Sequence, residues 1–137
     1  MKNTEKQDTI TWLTAVVPLY RQAEEITVPF TNIGPDGFPT DLDGLANVLV
    51  ALPPILATVK KLPKPEYSKL RLLQKDFKLT LDACIKSAKN RLKFEQKRGR
   101  FAFSAAVFWT DLAISFKTSF SKKMDKMILD YDKGGIL

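Results

Sequence analysis

The sequence contains no histidine and one cysteine, Cys84. Histidine is the most common general base and the most common metal ligand in proteins, so its absence removes the usual acid–base and zinc chemistry. A structural zinc site needs four ligands drawn mainly from cysteine and histidine, and one chain of this protein cannot supply them. A lone cysteine also cannot form an internal disulfide bond, so nothing in the sequence indicates an oxidising compartment.

Other signatures of catalysis and cofactor binding are missing as well. The six glycines are isolated or terminal, so the chain has no glycine-rich phosphate-binding loop. No repeated Glu-x-x-Glu motif gathers carboxylates for a magnesium site. Cys84 lies among apolar residues, and without a histidine to activate it we interpret it as a small core residue. We therefore predict no metal, no cofactor and no enzymatic activity.

Long hydrophobic runs are also scarce. The two apolar runs, at 44–59 and 101–116, are about 16 residues long, and a helix that crosses a bilayer needs roughly 20. Membrane insertion is therefore not expected, and no secretory signal is visible near the N-terminus. We expect a single domain over residues 1–137 and a cytoplasmic location.

Apolar residues that recur every three to four positions predict four helices, over about residues 5–25, 40 or 41 to 62, 65–98 and 101–131. Pro18 should kink the first helix, and Pro53-Pro54 should break or bend the second. The third helix should end near Gly99, which can take the left-handed conformation, and the short connection makes the third and fourth helices antiparallel neighbours. The predicted fold is an all-α four-helix bundle with two proline-kinked helices and one long antiparallel hairpin.

The aromatic residues suggest a ligand pocket as one hypothesis. In the fourth helix, Phe101, Phe108, Phe116 and Phe120 fall on the predicted inward stripe. The loop at 27–40 holds three prolines and two glycines, and we expect its apolar side chains to pack on the bundle. Phe38, Phe108 and Trp109 are the predicted lining of a small-molecule pocket, and plain core packing is the alternative.

Charge is unevenly distributed along the chain, whose net charge is +7. Residues 1–63 hold five basic and seven acidic side chains, whereas residues 64–137 hold 17 basic and eight acidic ones. The third helix carries a basic face over about residues 71–100. The predicted binding residues for an anionic partner are Lys86, Lys89, Arg91, Lys93, Lys97, Arg98 and Arg100.

Such a basic face fits several partners. It can follow a nucleic-acid backbone, meet an acidic protein or an anionic membrane surface, or be only a solvated helix face. No aromatic residue alternates with the charges on that face of the third helix, so base stacking is not supported. The leading hypothesis is a non-enzymatic interaction protein that binds nucleic acid or an acidic protein. The alternative is a small-molecule-binding bundle, and the apolar width of the first two helices suggests a homodimer.

Overall fold

The computed structural model of the chain describes residues 3–132. It contains four α-helices: α1 (Asn3–Ile26), α2 (Leu42–Lys61), α3 (Ser68–Gln96) and α4 (Arg100–Tyr131). A short 3-10 turn, Val28–Thr31, follows α1. Within this range no β-strand is formed, apart from one isolated bridge between Ile33 and Pro39. The prediction of an all-α bundle of four helices is confirmed.

The central element is α3, which packs against α4 on one side and against α2 on the other. Its inward side chains are spaced by three or four residues and are all buried: Leu70, Leu73, Phe77, Leu81, Cys84 and Ala88. They share one apolar core with α1, α2 and α4. Cys84 is fully buried in this core, as its interpretation as a packing residue requires.

Three aromatic rings join α1, α3 and α4 near the middle of the bundle. Phe77 stacks on Phe120 with ring centres 4.9 Å apart, and Tyr20 meets Phe120 edge-on at 5.8 Å. Tyr20 also contacts Phe77 edge-on at 6.5 Å. Such ring pairs each add about 0.5–1.5 kcal/mol beyond the burial of their area.

The inward side of α4 differs from the predicted stripe in its first half. The buried positions there are small residues, Ala106, Thr110 and Ala113. They allow α4 to lie close to α3, where the hydroxyls of Thr110 and Ser87 are 2.9 Å apart. Phe101 and Phe108, predicted to face the core, are exposed instead. Close approach of the two helices leaves no room for those rings between them.

The prolines do not interrupt the helices that contain them. Pro18 lies inside α1, and Pro53-Pro54 lie inside α2, which is continuous from Leu42 to Lys61. The break that the sequence allowed at Pro53-Pro54 is therefore not formed. Each proline deprives one carbonyl of its helical hydrogen bond. Pro18 and Pro54 are on the exposed side of their helices, where water can satisfy those carbonyls.

Length and apolar composition would allow α2 to cross a membrane, and it is the one helix in the described range of which this is true. Its mean hydropathy reaches 1.7 over 18 residues. The core helix of a bundle meets the same criterion, and α2 buries six side chains in the shared core: Leu45, Val48, Leu52, Ile55, Leu56 and Val59.

Two ends of α3 differ from the prediction. The helix begins at Ser68 rather than at Pro65. Arg71 holds the preceding segment by donating to the carbonyl oxygens of Pro65, at 3.2 Å, and Glu66. Gly99 is extended, with φ −177°, and directly precedes α4, so the left-handed conformation that the sequence allowed there is not formed.

The loop between α1 and α2 folds back on the bundle. Gly37 has φ 83°, which glycine adopts without strain, and it forms the turn at the tip. The Asp41 carboxylate then caps α2 by accepting a 2.8 Å hydrogen bond from the Gly44 N–H. Of the loop's apolar side chains, Phe30 and Phe38 are buried, whereas Val28 and Ile33 stay exposed.

We predict that Phe77→Ala lowers the free energy of unfolding by about 3–5 kcal/mol, because it removes the ring that contacts both Tyr20 and Phe120. Urea denaturation followed by circular dichroism measures the change. The control is Leu79→Ala on the exposed side of α3, which should cost less than about 1 kcal/mol. Similar losses in the two variants would contradict the assigned orientation of α3.

Candidate functional site

Six of the predicted binding residues on the basic face are exposed, and four of them make no ion pair within residues 3–132: Lys89, Lys93, Lys97 and Arg100. Lys89, Lys93 and Lys97 follow one another at intervals of four residues, so they share one side of α3 at its end. Arg100 is the first residue of α4 and follows Lys97 by three residues. These four residues are here called the basic cluster.

Arg91 does not belong to this surface. Its guanidinium is buried, donates a 2.8 Å hydrogen bond to Glu95 and lies over the Phe38 ring at 4.9 Å. Position 91 continues the buried spacing of positions 84 and 88, so the side chain points inward. Arg91 therefore fastens the long loop to the hairpin, and its predicted role in binding an anionic partner does not fit its burial.

Two further predicted residues lie at the surface in local contacts. Lys86 pairs with Asp82 at 3.0 Å and lies over the Trp109 ring at 4.7 Å. Arg98 pairs with Glu95 at 3.4 Å, and the hydrogen bond from Arg91 and the nearby Arg98 charge lower the pKa of that carboxylate. Exposed ion pairs of this kind contribute about 0–1 kcal/mol, so Lys86 and Arg98 remain able to exchange their partners for an external anion.

The three side chains predicted to line a pocket lie in two separate ring clusters. Phe38 is buried and contacts Phe94 and Phe103, each with ring centres 6.0 Å apart. Phe108 contacts Trp109 edge-on at 5.1 Å, on the outer side of α4. The proposed meeting of Phe38 with Phe108 and Trp109 is therefore not formed. The reason is that small residues, rather than these rings, occupy the inward side of α4.

A groove of about 720 Å³ lies between α1 and α4, and the sequence reasoning missed it. On its floor Lys117 donates a 2.9 Å hydrogen bond to Glu24, and Ser121 donates to the other oxygen of the same carboxylate. Tyr20 donates to Asp125 at 2.7 Å. The pairs Tyr20–Asp125 and Glu24–Lys117 run in opposite directions along the two helices, so α1 and α4 are antiparallel.

Charge in this groove is neutralised internally. Lys117 is nearly buried. Its ion pair with Glu24 links α4 to α1, and the backbones of these two helices approach each other closely at few points. Burial alone would raise the pKa of Glu24, but the hydrogen bonds from Ser121 and Lys117 outweigh it and hold the pKa below its usual value. Burial raises the pKa of the Tyr20 hydroxyl far above its usual range. The signal in the sequence was the spacing of four between Tyr20 and Glu24 and between Lys117 and Ser121.

The side chain of Cys84 is buried and not accessible to solvent. Burial raises the pKa of the Cys84 thiol to about 12, so the thiolate is not formed near neutral pH. Across residues 3–132 no three cysteine, aspartate or glutamate side chains gather closely enough to hold a metal ion.

Comparison with protein-family models, curated proteins and solved structures finds no match. Function is therefore inferred from the geometry and chemistry of this chain alone.

We predict that Glu24→Gln destabilises the protein by about 1 kcal/mol at pH 7, a small value because Glu24 is partly exposed. The difference from wild type should shrink as the pH falls below about 4.5, because the lowered pKa of Glu24 means that its contribution is lost once the folded carboxylate is protonated. Thermal unfolding from pH 7 to pH 3 measures it. Glu25→Gln, an exposed neighbour, is the control. A difference that stays constant or grows in acid would contradict the role given to Glu24.

Proposed function

We propose that this protein is a non-enzymatic interaction protein that binds an anionic partner through the basic cluster, Lys89, Lys93, Lys97 and Arg100. The observation that carries the proposal is that, among residues 3–132, none of these four side chains forms an ion pair with an acidic residue. Asp82 and Glu95, the nearest acids along α3, are already engaged by Lys86, Arg91 and Arg98.

The charge density of this end of the hairpin supports the proposal. Residues 86–100 include seven basic side chains and one acidic one, and the next acid along the chain is Asp111. Lysines four residues apart on a helix lie about 6 Å from one another. That spacing is shorter than the screening length of about 8 Å at physiological salt, so their potentials add. An anionic surface that contacts them releases counterions, and binding should weaken as salt is added.

The chemistry of the interior supports a non-enzymatic role. A serine nucleophile needs a neighbouring base, and Ser121 does contact Glu24. The pKa of that carboxylate is lowered, which makes it a poor proton acceptor near neutral pH. The Cys84 thiol is buried and protonated. The exposed charges therefore support binding, whereas neither Ser121 nor Cys84 is activated as a nucleophile.

The test is charge reversal of three lysines, Lys89→Glu, Lys93→Glu and Lys97→Glu, in one variant. The control reverses Lys60, Lys61 and Lys64, which are exposed at the end of α2 and just beyond it and change the net charge equally. Binding is measured at about 20 mM salt to three anionic probes: a labelled oligonucleotide, polyglutamate and phosphatidylglycerol vesicles. We expect wild type to bind at least one probe and the test variant to lose about tenfold or more in affinity, with a much smaller loss in the control.

The proposal is wrong if wild type binds none of the three probes at low salt. It is also wrong if both variants lose affinity equally, since net charge rather than the basic cluster would then explain binding.

A further inference from the structure

Six large apolar side chains on α3 and α4 are left in solvent. Phe103 contacts Phe38 and Phe94, and Leu129 lines the groove between α1 and α4. The other four are Phe101, Leu72, Phe108 and Leu79. Phe101 is 94% exposed, Leu72 63%, Phe108 56% and Leu79 43%. An exposed apolar side chain is common when it stands alone, whereas a group on one surface indicates a contact with a partner or a membrane.

These side chains share one side of the hairpin. Leu72 lines a crevice between the two helices with Lys123 and Lys126 of α4, and Leu79 lines a second crevice with Phe116 and Lys123. Farther along the same junction, Lys86 of α3 lies over Trp109, whose ring contacts Phe108. Phe101 precedes Phe108 by seven residues, or two turns, and so lies on the same side of α4. This surface is here called the outer face of the hairpin.

Basic side chains are interleaved with these apolar ones. Lys75, Lys86, Lys89, Lys93 and Lys97 lie along the outer face on α3, and Lys123 and Lys126 lie on α4. Two acids on this face are already paired, Asp76 with Lys123 at 3.6 Å and Asp82 with Lys86. Asp130 lines the crevice beside Leu72, and the exposed Asp111 is three residues from Phe108 on α4, about one turn away. The outer face therefore combines a net positive charge with protruding apolar groups.

We infer that the outer face docks on the surface of an anionic phospholipid bilayer. Phe101, Phe108 and the two leucines enter the boundary between headgroups and acyl chains, and the lysines contact the lipid phosphates. Segments that lie in this boundary combine Lys or Arg with Phe, Trp or Leu, and the outer face carries Lys, Phe and Leu. The inference rests on the proposed function and names the class of its anionic partner.

The apolar residues separate lipid from nucleic acid. A single-stranded nucleic acid would use the rings for stacking, but Leu72 and Leu79 offer no ring to a base. A duplex is bound mainly through phosphate contacts by charged and polar side chains, and it would leave all four apolar groups in water. A bilayer surface accommodates both classes of side chain, because it places phosphates directly above hydrocarbon. Charge alone or one apolar group alone binds a membrane weakly, and the outer face supplies both.

The experiment measures flotation of the full chain with vesicles of phosphatidylcholine alone and with about one third phosphatidylglycerol. The variant is Phe101→Ser with Phe108→Ser, two exposed positions whose replacement leaves the core intact. The matched control is Val50→Ser, which is 76% exposed on α2 and outside the outer face. Each protein is also tested against the labelled oligonucleotide and polyglutamate, and its helix content is checked by circular dichroism.

We expect wild type and Val50→Ser to float with the anionic vesicles and not with phosphatidylcholine alone. The double variant should lose about tenfold or more of this binding and keep any binding to oligonucleotide or polyglutamate. Equal vesicle binding by wild type and the double variant would overturn the inference. So would binding of oligonucleotide or polyglutamate without vesicles, or loss of oligonucleotide binding together with the rings. In those cases the proposed function stands if charge reversal still abolishes binding, whereas absence of binding to every probe removes both.

Discussion

The packing of α3 between α2 and α4 determines which side chains of the hairpin remain for a partner. Its stripe from Leu70 to Ala88 enters the core, so the lysines opposite that stripe are left at the surface. On α4 the small residues Ala106, Thr110 and Ala113 allow the close approach of α3. The same close approach places Phe101 and Phe108 outside. The packing of α3 between α2 and α4 thus leaves both the lysines and the exposed rings on the outer face.

Much of the fold could be predicted from the sequence, because an apolar residue every three to four positions on a polar background leaves few alternatives to helices. The long hairpin followed from the strength of that pattern in α3 and the short connection at Gly99. The start of α3 and the conformation of Gly99 were not predicted, because local backbone geometry competes there with the periodicity of apolar residues. Arg71 engages the carbonyls of Pro65 and Glu66 ahead of α3, which begins at Ser68, and Gly99 is extended as the N-cap of α4.

The candidate site was less accessible to sequence reasoning, and the reason differs from residue to residue. The exposure of Lys89, Lys93 and Lys97 follows from their spacing, and so does the burial of Arg91, which shares the spacing of Cys84 and Ala88.

The exposed rings beside the basic surface, Phe101 and Phe108, belong to α4, so the spacing of residues within α3 does not indicate them. Their position depends on which side of α4 faces inward. In its first half α4 is apolar on more than one side, and periodicity cannot choose between a ring-lined side and a small-residue side. The Glu24–Lys117 pair likewise joins segments 93 residues apart.

The two tryptophans provide the most direct measurement of the central claim, that the outer face is the surface which meets a lipid bilayer. Trp12 is buried and donates a 2.8 Å hydrogen bond to Gln74, whereas Trp109 lies on the outer face against Phe108. Phosphatidylglycerol vesicles whose acyl chains carry bromine quench only tryptophans that reach the bilayer. The account predicts strong quenching in Trp12→Phe, which retains Trp109, and little in Trp109→Phe, which retains Trp12. Quenching of Trp12 alone, or of neither residue, would contradict it.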